Sequence, residues 1–95
     1  MKLWVDADAC PRDVKEVLYR AADRRKVMCV LVANSELRLP RSAYLSSVRV
    51  GAGLDVADSY VAQNAQAGDL AVTADIPLAA ALVAKGVVVL DVRGE

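Results

Sequence analysis

The sequence predicts an α/β fold, a three-layer sandwich in which helices cover both faces of a mostly parallel five-stranded sheet. Short apolar runs rich in strand-forming residues recur along the 95-residue chain, and each is too short to be a helix. Segments with helical periodicity separate these runs, which is typical of strand–helix–strand units. The runs are apolar with little polar alternation, as expected of parallel strands buried on both faces. The length corresponds to a single domain over residues 1–95.

In the first half of the chain, residues 2–5 form the first predicted strand. A helix follows over residues 11–25, because its proline suits a first helical turn and its apolar residues recur at helical spacing. The continuous apolar run at residues 27–32 is the second strand. Residues 34–46 contain proline, serine and arginine with weak periodicity and are predicted to be mostly loop, and residues 47–50 form a short third strand.

In the second half, helical periodicity predicts a helix over residues 55–67. A fourth strand at residues 70–73 precedes a third helix at residues 76–85, which Gly86 ends, and residues 87–90 form the fifth strand. Three helices are few for the two faces of five strands. We therefore expect one face to be thinly covered, or to be covered by a second copy in a homodimer or by a further C-terminal segment.

The composition excludes several classes of protein. The chain has no histidine, which removes Ser-His and Cys-His catalytic sites and histidine metal sites. Twelve basic residues balance twelve acidic ones, so no overall basic charge marks a nucleic-acid-binding protein. No apolar stretch approaches the roughly 20 residues that span a membrane, and we identify no signal peptide. The two cysteines have no metal-ligand spacing, and the chain is expected to be a reduced, cytoplasmic protein without membrane contact.

Asp6 and Asp8 directly follow the first strand, as Asp-x-Asp. Two carboxylates about 5 Å apart repel by about 3 kcal/mol at an effective dielectric constant near 20, so the arrangement calls for a cation, a retained proton or a basic partner. In open parallel sheets, ligands bind beyond the carboxyl ends of the strands. This end of the sheet is the expected site, whereas Asp69 enters the fourth strand and is expected at the opposite edge.

Three further aspartates map to the same side. Asp75 follows the fourth strand, and Asp55 and Asp58 open the helix that precedes this strand. If the first and fourth strands are neighbours, Asp6 and Asp75 face each other, and Asp58 approaches from the side. Oxygen ligands of this kind suit Mg²⁺ or Mn²⁺.

Each of these acids also has a structural interpretation. Asp55 is a good helix N-cap, with Asp58 as its capping-box partner, and Asp75 fits the N-cap of the third helix. Asp8 is able to brace the turn that follows the first strand. Asp6 has the weakest structural interpretation, because it follows a buried strand and does not directly precede a helix.

Polar and basic residues on the same side are candidates for binding a phosphate backbone. Asn34 and Ser35 follow the second strand, although a loop-capping role explains them equally well. A local basic rim is expected from four arginines, each of which is singly explained as a solvated charge: Arg12, Arg38, Arg41 and Arg93. Trp4 is expected in the core, and Cys10 is expected to be structural although it lies at a helix N-terminus.

Ordered motifs along the whole chain carry a family resemblance. They are Val-Asp-Ala-Asp-Ala-Cys-Pro at 5–11, Val-Ala-Asn at 32–34, Asp-Val-Ala-Asp at 55–58, Gly-Asp at 68–69, Thr-Ala-Asp-Ile-Pro-Leu-Ala at 73–79, Lys-Gly at 85–86 and Arg-Gly-Glu at 93–95. Together they closely resemble the YaiI/YqxD family of bacterial proteins. Members of that family usually continue past the Arg-Gly-Glu, so the resemblance implies a chain that lacks their C-terminal segment.

The resemblance implies a PIN-like fold, a class that includes metal-dependent ribonucleases and flap-type nucleases. It implies the sheet order 3-2-1-4-5, in which the first and fourth strands are neighbours. It further implies that Asp6, Asp58 and Asp75 are the catalytic, metal-binding acids, with Asp8 or Asp55 assisting.

Three functions are therefore to be weighed. The first is a Mg²⁺- or Mn²⁺-dependent phosphodiesterase acting on RNA or single-stranded nucleic acid. The second is a phosphatase of the haloacid-dehalogenase type with Asp6 as nucleophile and Asp8 as acid/base, which is disfavoured because a helix starts at Pro11 without an intervening flap. A receiver domain is disfavoured further, since the third strand ends without an aspartate. The third is a non-catalytic module that self-associates through its thinly covered sheet face.

Overall fold

All five strands of the sheet run parallel, in the order β3-β2-β1-β4-β5. The computed structural model describes residues 1–53 and 56–91. The elements in chain order are β1 Lys2–Asp6, α1 Arg12–Arg25, β2 Met28–Ala33, β3 Leu45–Arg49, α2 Val56–Asn64, β4 Leu70–Val72, α3 Ile76–Ala84 and β5 Val88–Leu90. The predicted α/β class, the strand count and the order implied by the resemblance are confirmed. None of the helices in these two described stretches is long and apolar enough to cross a bilayer.

β3 begins at Leu45, inside the segment predicted to be loop. The carbonyl of Tyr44 accepts a hydrogen bond from the N–H of Cys29 at 2.7 Å, and Cys29 pairs with Leu45 in the parallel register. Pairing with β2 therefore sets the start of this strand. Local propensity does not reveal such pairing.

α2 ends at Asn64, three residues before the predicted end. The N–H of Gln66 donates to the carboxylate of Asp69 at 3.0 Å, and the N–H of Asp69 donates back to the carbonyl of Gln66 at 2.9 Å. A turn thus replaces the last helical hydrogen bonds. The predicted start of this helix, at Asp55, lies outside the described residues.

α3 ends at Ala84, one residue before the predicted end, and Gly86 follows it in the predicted position with a left-handed backbone. Gly86 has a φ of 88°, a conformation that costs little free energy in a residue without a Cβ atom. The N–H of Gly86 donates to the carbonyl of Val83, and the N–H of Val87 to that of Leu82, each at 3.0 Å. This is a Schellman motif, and it turns the chain directly into β5.

Two hydrophobic clusters lie on opposite faces of the sheet, and alternate residues of β1 enter each. Leu3 and Val5 pack on the face that carries α1, whereas Trp4 packs on the face that carries α2 and α3. Strand alternation places Asp6 on the same face as Trp4. The side chain of Asp6 therefore lies on the side of the two later helices.

Asp69 lies at the amino-terminal edge of the sheet, as predicted, and has a structural role. Its buried carboxylate accepts hydrogen bonds from Lys2 N at 2.9 Å, Trp4 Nε1 at 3.0 Å and Gln66 N at 3.0 Å. Burial opposes ionisation, but the hydrogen bonds from Trp4, Gln66 and Lys2 and the N-terminal charge outweigh it and lower the pKa of Asp69. This carboxylate joins the amino ends of β1 and β4, and Trp4 is a core residue, as expected.

Candidate functional site

Asp6 is a buried carboxylate at the carboxyl end of the central strand. Its pKa is raised, first by burial and then by the nearby carboxylates of Asp8 and Asp75. A side-chain hydrogen bond with Asp58 and a backbone hydrogen bond from Ala9 oppose this shift. Because β1 lies between β2 and β4, this residue occupies the middle of the edge where ligands of parallel sheets bind.

Asp58, in the first turn of α2, is in contact with Asp6. Two carboxyl groups hydrogen-bond to each other only when one of them keeps a proton, and two carboxylates share such a position when a cation lies between them. The structure therefore brings together two of the predicted acids, Asp6 and Asp58, so closely that they need a shared proton or a cation. This pair is the centre of the candidate site.

Asp8 and Asp75 each accept a hydrogen bond from a backbone N–H with one carboxylate oxygen. Oδ2 of Asp8 accepts from Asn34 N at 2.8 Å, which ties the turn after β1 to the end of β2. Oδ1 of Asp75 accepts from Leu78 N at 2.7 Å and caps α3, while the N–H of Asp75 donates to Oγ1 of Thr73 at 3.1 Å. The structural interpretations of both acids are thus present in the fold, and both acids still lie close enough to Asp6 to raise its pKa.

Two adjacent clefts open around these acids. One of about 270 Å³ is lined by Asp6, Asp8, Asp58, Asn34, Ala9, Ala57 and two glycines, Gly51 and Gly53. The other, of about 240 Å³, contains Asp75, and Asp58 lines both. The sequence interpretation used the two glycines only to end β3. Their position after a strand, at the edge where the acids gather, was the signal that they line the site.

The donor set suits a cation that keeps part of its water shell. Within the described ranges, no group of three acidic or thiol side chains is close enough to enclose a metal ion. Mg²⁺ usually takes one or two carboxylates, several waters and the phosphates of a substrate, instead of a closed protein cage. The pair Asp6 and Asp58 fits that mode, with Asp8 in the same cleft.

The predicted basic rim is only partly assembled. Arg12 and Arg38 lie together in a separate cleft of about 440 Å³ between α1 and residues 36–40, where Glu16 and Glu36 offset their charge. Ser35 is exposed and lines neither acidic cleft. Arg93 lies outside the described residues.

The expectation that Arg41 lies at this edge is wrong. Its neighbour Ser42 donates a hydrogen bond to Asp23, near the C-terminal end of α1, at 2.8 Å. Residues 34–44 run back along the α1 face from the carboxyl end of β2 to the amino end of β3. Arg41 therefore lies toward the opposite edge of the sheet.

Cys10 is a structural residue, because it is buried and its pKa is raised, chiefly by that burial. Its sulfur packs in the core on the α1 side together with Cys29. Burial likewise raises the pKa of Cys29, to about 12. Neither thiol has the exposed, electropositive surroundings of a reactive cysteine.

Several proteins are similar to this chain over nearly all of its length. A UPF0178 protein of Myxococcus xanthus (strain DK1622) is 70% identical over 95 residues, which are all of this chain and 62% of its own length. A UPF0178 protein of Citrifermentans bemidjiense is 59% identical over 95 residues, again 62% of its length. One from Shewanella sp. (strain MR-4) is 56% identical over 94 residues, or 63% of its length.

The chain thus spans somewhat less than two thirds of the length of these relatives. No solved structure matches it. The family model described as "Uncharacterized BCR, YaiI/YqxD family" matches residues 4–95, a stretch that includes Asp6, Asp8, Asp58 and Asp75. The chain belongs to the YaiI/YqxD family.

Proposed function

We propose that the protein is a Mg²⁺- or Mn²⁺-dependent phosphodiesterase that acts on RNA or single-stranded nucleic acid. The observation that carries the proposal is the contact between Asp6 and Asp58 at the carboxyl end of the central strand. Burial and neighbouring carboxylates both disfavour the charge on Asp6, and a divalent cation would relieve this cost. When bound, such a cation lowers the pKa of a water molecule and offsets the negative charge of a phosphodiester.

The residues of the cleft have distinct roles in this proposal. Asp6 and Asp58 hold the cation. Asp8 is held in the same cleft by its hydrogen bond from Asn34 N, and it attracts the cation and orients its waters. Asn34 also lines the cleft, and its residue type offers a side-chain amide suited to donate a hydrogen bond to a phosphate oxygen. Asp75 holds the start of α3, on which the second cleft is built.

The class of substrate rests on the resemblance to PIN-like domains, whereas the metal role rests on the acids themselves. Fold analogy carries less weight than site chemistry. The two parts are therefore tested separately, by metal binding and by cleavage.

The alternatives account for less of the structure. If the acids were only caps and braces, Asp8 and Asp75 would be explained, but the contact between Asp6 and Asp58 would not. A phosphatase with Asp6 as nucleophile is disfavoured because helix α1 begins at Arg12, which leaves no room for a flap after the motif.

The test compares aspartates of equal charge inside and outside the pair. We expect Asp6→Asn and Asp58→Asn to lower Mn²⁺-dependent cleavage of a fluorescent single-stranded RNA by about 100-fold or more, because each removes a charged ligand. Asp13→Asn is the matched control, since this exposed residue lies in the first turn of α1 and lines neither acidic cleft.

Calorimetry with Mn²⁺ alone separates metal binding from catalysis. Wild type and Asp13→Asn should bind Mn²⁺, whereas the two pair variants should bind it weakly or not at all. Equal cleavage by wild type and Asp6→Asn would refute the nuclease. Equal Mn²⁺ affinity in these two proteins would refute the metal site.

A further inference from the structure

The face of the sheet that carries α1 is uncovered over β5. In one row across the sheet, Leu3 pairs with Leu70 and Leu70 with Val88, and the exposed fraction rises from 5% at Leu3 to 59% at Val88. In the next row, Val5 pairs with Val72 and Val72 with Leu90, and exposure rises from 0% at Val5 to 48% at Leu90. The apolar rows thus continue to the edge strand, but their cover does not.

The order of the connections explains the gap. Connections between parallel strands are right-handed. A connection to a strand on the left and a connection to a strand on the right therefore lie on opposite faces of the sheet. α1 and residues 34–44 connect β1 to β2 and β2 to β3 across the first face, whereas α2 and α3 connect β3 to β4 and β4 to β5 across the second. Among the described residues, no element is assigned to the first face above β5.

One flank of α1 forms the side wall of this gap. Arg12, Lys15, Glu16 and Tyr19 face residues 36–40, on the β3 side of the helix. Val17 and Ala21, one turn apart, lie on the opposite flank and are exposed. They therefore face the β4–β5 side. We call the surface formed by Val17, Ala21, Leu70, Val88 and Leu90 the β5 groove.

The rim of the β5 groove is basic. Arg20, Arg24 and Arg25 line a depression of about 300 Å³ together with Val17 and Ala21. The exposed floor is β5 with the half-buried Leu70 of β4 beside it, because Val72 of β4 is only 3% exposed. The apolar stripe of a single amphipathic helix covers a strip of this width. An apolar floor with a basic rim fits an amphipathic helix that carries acidic residues along one flank.

We propose that the β5 groove is the docking site of an amphipathic, acidic-flanked helix supplied by the part of the family's proteins that lies outside the matched residues. The Myxococcus relative matches all of this chain with 62% of its length, so 38% of that protein has no counterpart here and is long enough to contain such a helix. The proposal is independent of the proposed nuclease function.

The experiment uses the 95-residue chain and, as the probe, the portion of the Myxococcus relative outside the match, expressed as a separate fragment. NMR of methyl groups should show shifts at Val17, Val88 and Leu90 when the fragment is added. We expect Val88→Asp to weaken binding at least about tenfold, because it places a charge on the apolar floor. Val83→Asp is the matched control, since Val83 is an exposed valine of α3 on the other face, and it should bind as wild type does.

A second variant and a linked form of the two proteins test the same docking site independently. Arg24→Glu leaves the floor intact and should also weaken binding, by reversing charge on the rim. Joining the fragment to the chain through a flexible linker makes docking independent of affinity between separate molecules. Absence of methyl shifts in the linked protein would overturn the proposal. So would equal binding by Val88→Asp, or a homodimer of the 95-residue chain that this substitution dissociates.

Discussion

At the scale of single residues, two buried aspartates of the same sheet have opposite pKa shifts. Asp6 lies among carboxylates, and burial and repulsion raise its pKa. Asp69 receives three hydrogen bonds, and its pKa is lowered although it is equally buried. Burial raises the pKa of both carboxylates, and at Asp69 the hydrogen-bond donors and the N-terminal charge outweigh it. Asp69 is therefore a fixed part of the framework, and Asp6 is the residue that we propose binds a cation.

Asp69 should stabilise the protein in a pH-dependent way. Asp69→Asn replaces one acceptor oxygen by an amide and should lower the free energy of unfolding by about 1–3 kcal/mol at neutral pH. Because the folded pKa is lower than the ordinary value of 3.8, the contribution is complete well above pH 3.8 and is lost as the pH falls through the folded pKa. Urea unfolding at several pH values measures it. A difference between variant and wild type that does not shrink in acid would contradict the assignment.

Asp6 should have the opposite effect when no cation is present. Its raised pKa means that its charged form destabilises the fold, so stability falls as the pH rises from the ordinary value of 3.8 through the folded pKa. In EDTA at neutral pH, Asp6→Asn should raise the free energy of unfolding by about 1 kcal/mol. Mg²⁺ or Mn²⁺ should raise the melting temperature of wild type but not of this variant. Thermal melts measure both effects, and a variant less stable than wild type in EDTA would contradict the interpretation.

At the scale of elements, the ends of helices show what local sequence predicts well. Gly86 ends α3 where a glycine at that position predicts, because the left-handed conformation there is a local requirement. The end of α2 was predicted three residues too late, because the group that ends it is the carboxylate of Asp69, which is itself held by β1. The start of β3 at Leu45 was missed for the same reason, since it depends on pairing with Cys29.

The left-handed residue that follows α1 is a lysine, whereas the one that follows α3 is a glycine. Lys26 has a φ of 56°, the one positive value on a non-glycine residue among those described, and Val27 N donates to Ala22 O at 3.0 Å. Lys26→Gly should stabilise the protein by about 1 kcal/mol by removing the clash of Cβ in this conformation. Lys26→Ala keeps Cβ and is the control for the lost charge. Chemical denaturation should show a gain for glycine alone, and equal effects of the two substitutions would exclude relief of backbone strain.

At the scale of the whole molecule, the order of the strands decides both the site and the uncovered face. Placing β1 between β2 and β4 brings the acids of three chain segments to one edge, and it leaves β5 at the far side without cover from α1. The sequence predicted that helical cover would be thin, from a count of helices alone. It did not predict which strand would be uncovered, because that depends on the direction of each connection.

Because helices cover one face of the sheet at β5 and leave the other face exposed, substitutions on the two faces should differ in their effect on the stability of the 95-residue chain. Val88→Asp should change the free energy of unfolding by no more than about 0.5 kcal/mol, because Val88 is largely exposed at the edge strand. Leu82→Ala, at a fully buried position on the other face, should cost about 2–5 kcal/mol. Denaturant unfolding of both variants measures the contrast. A large loss for Val88→Asp would mean that this face is buried in solution.

The sequence by itself determined the class of the fold, the type of most elements and the edge to which Asp6, Asp58 and Asp75 belong, because periodicity and chain direction are local properties. Only the tertiary structure decided that Asp6 and Asp58 are in contact, that Asp8 and Asp75 each hold a backbone N–H, and that Arg41 lies toward the opposite edge. These are relations between segments far apart in the chain. They depend on strand order and on the path of each connection, which no single segment encodes.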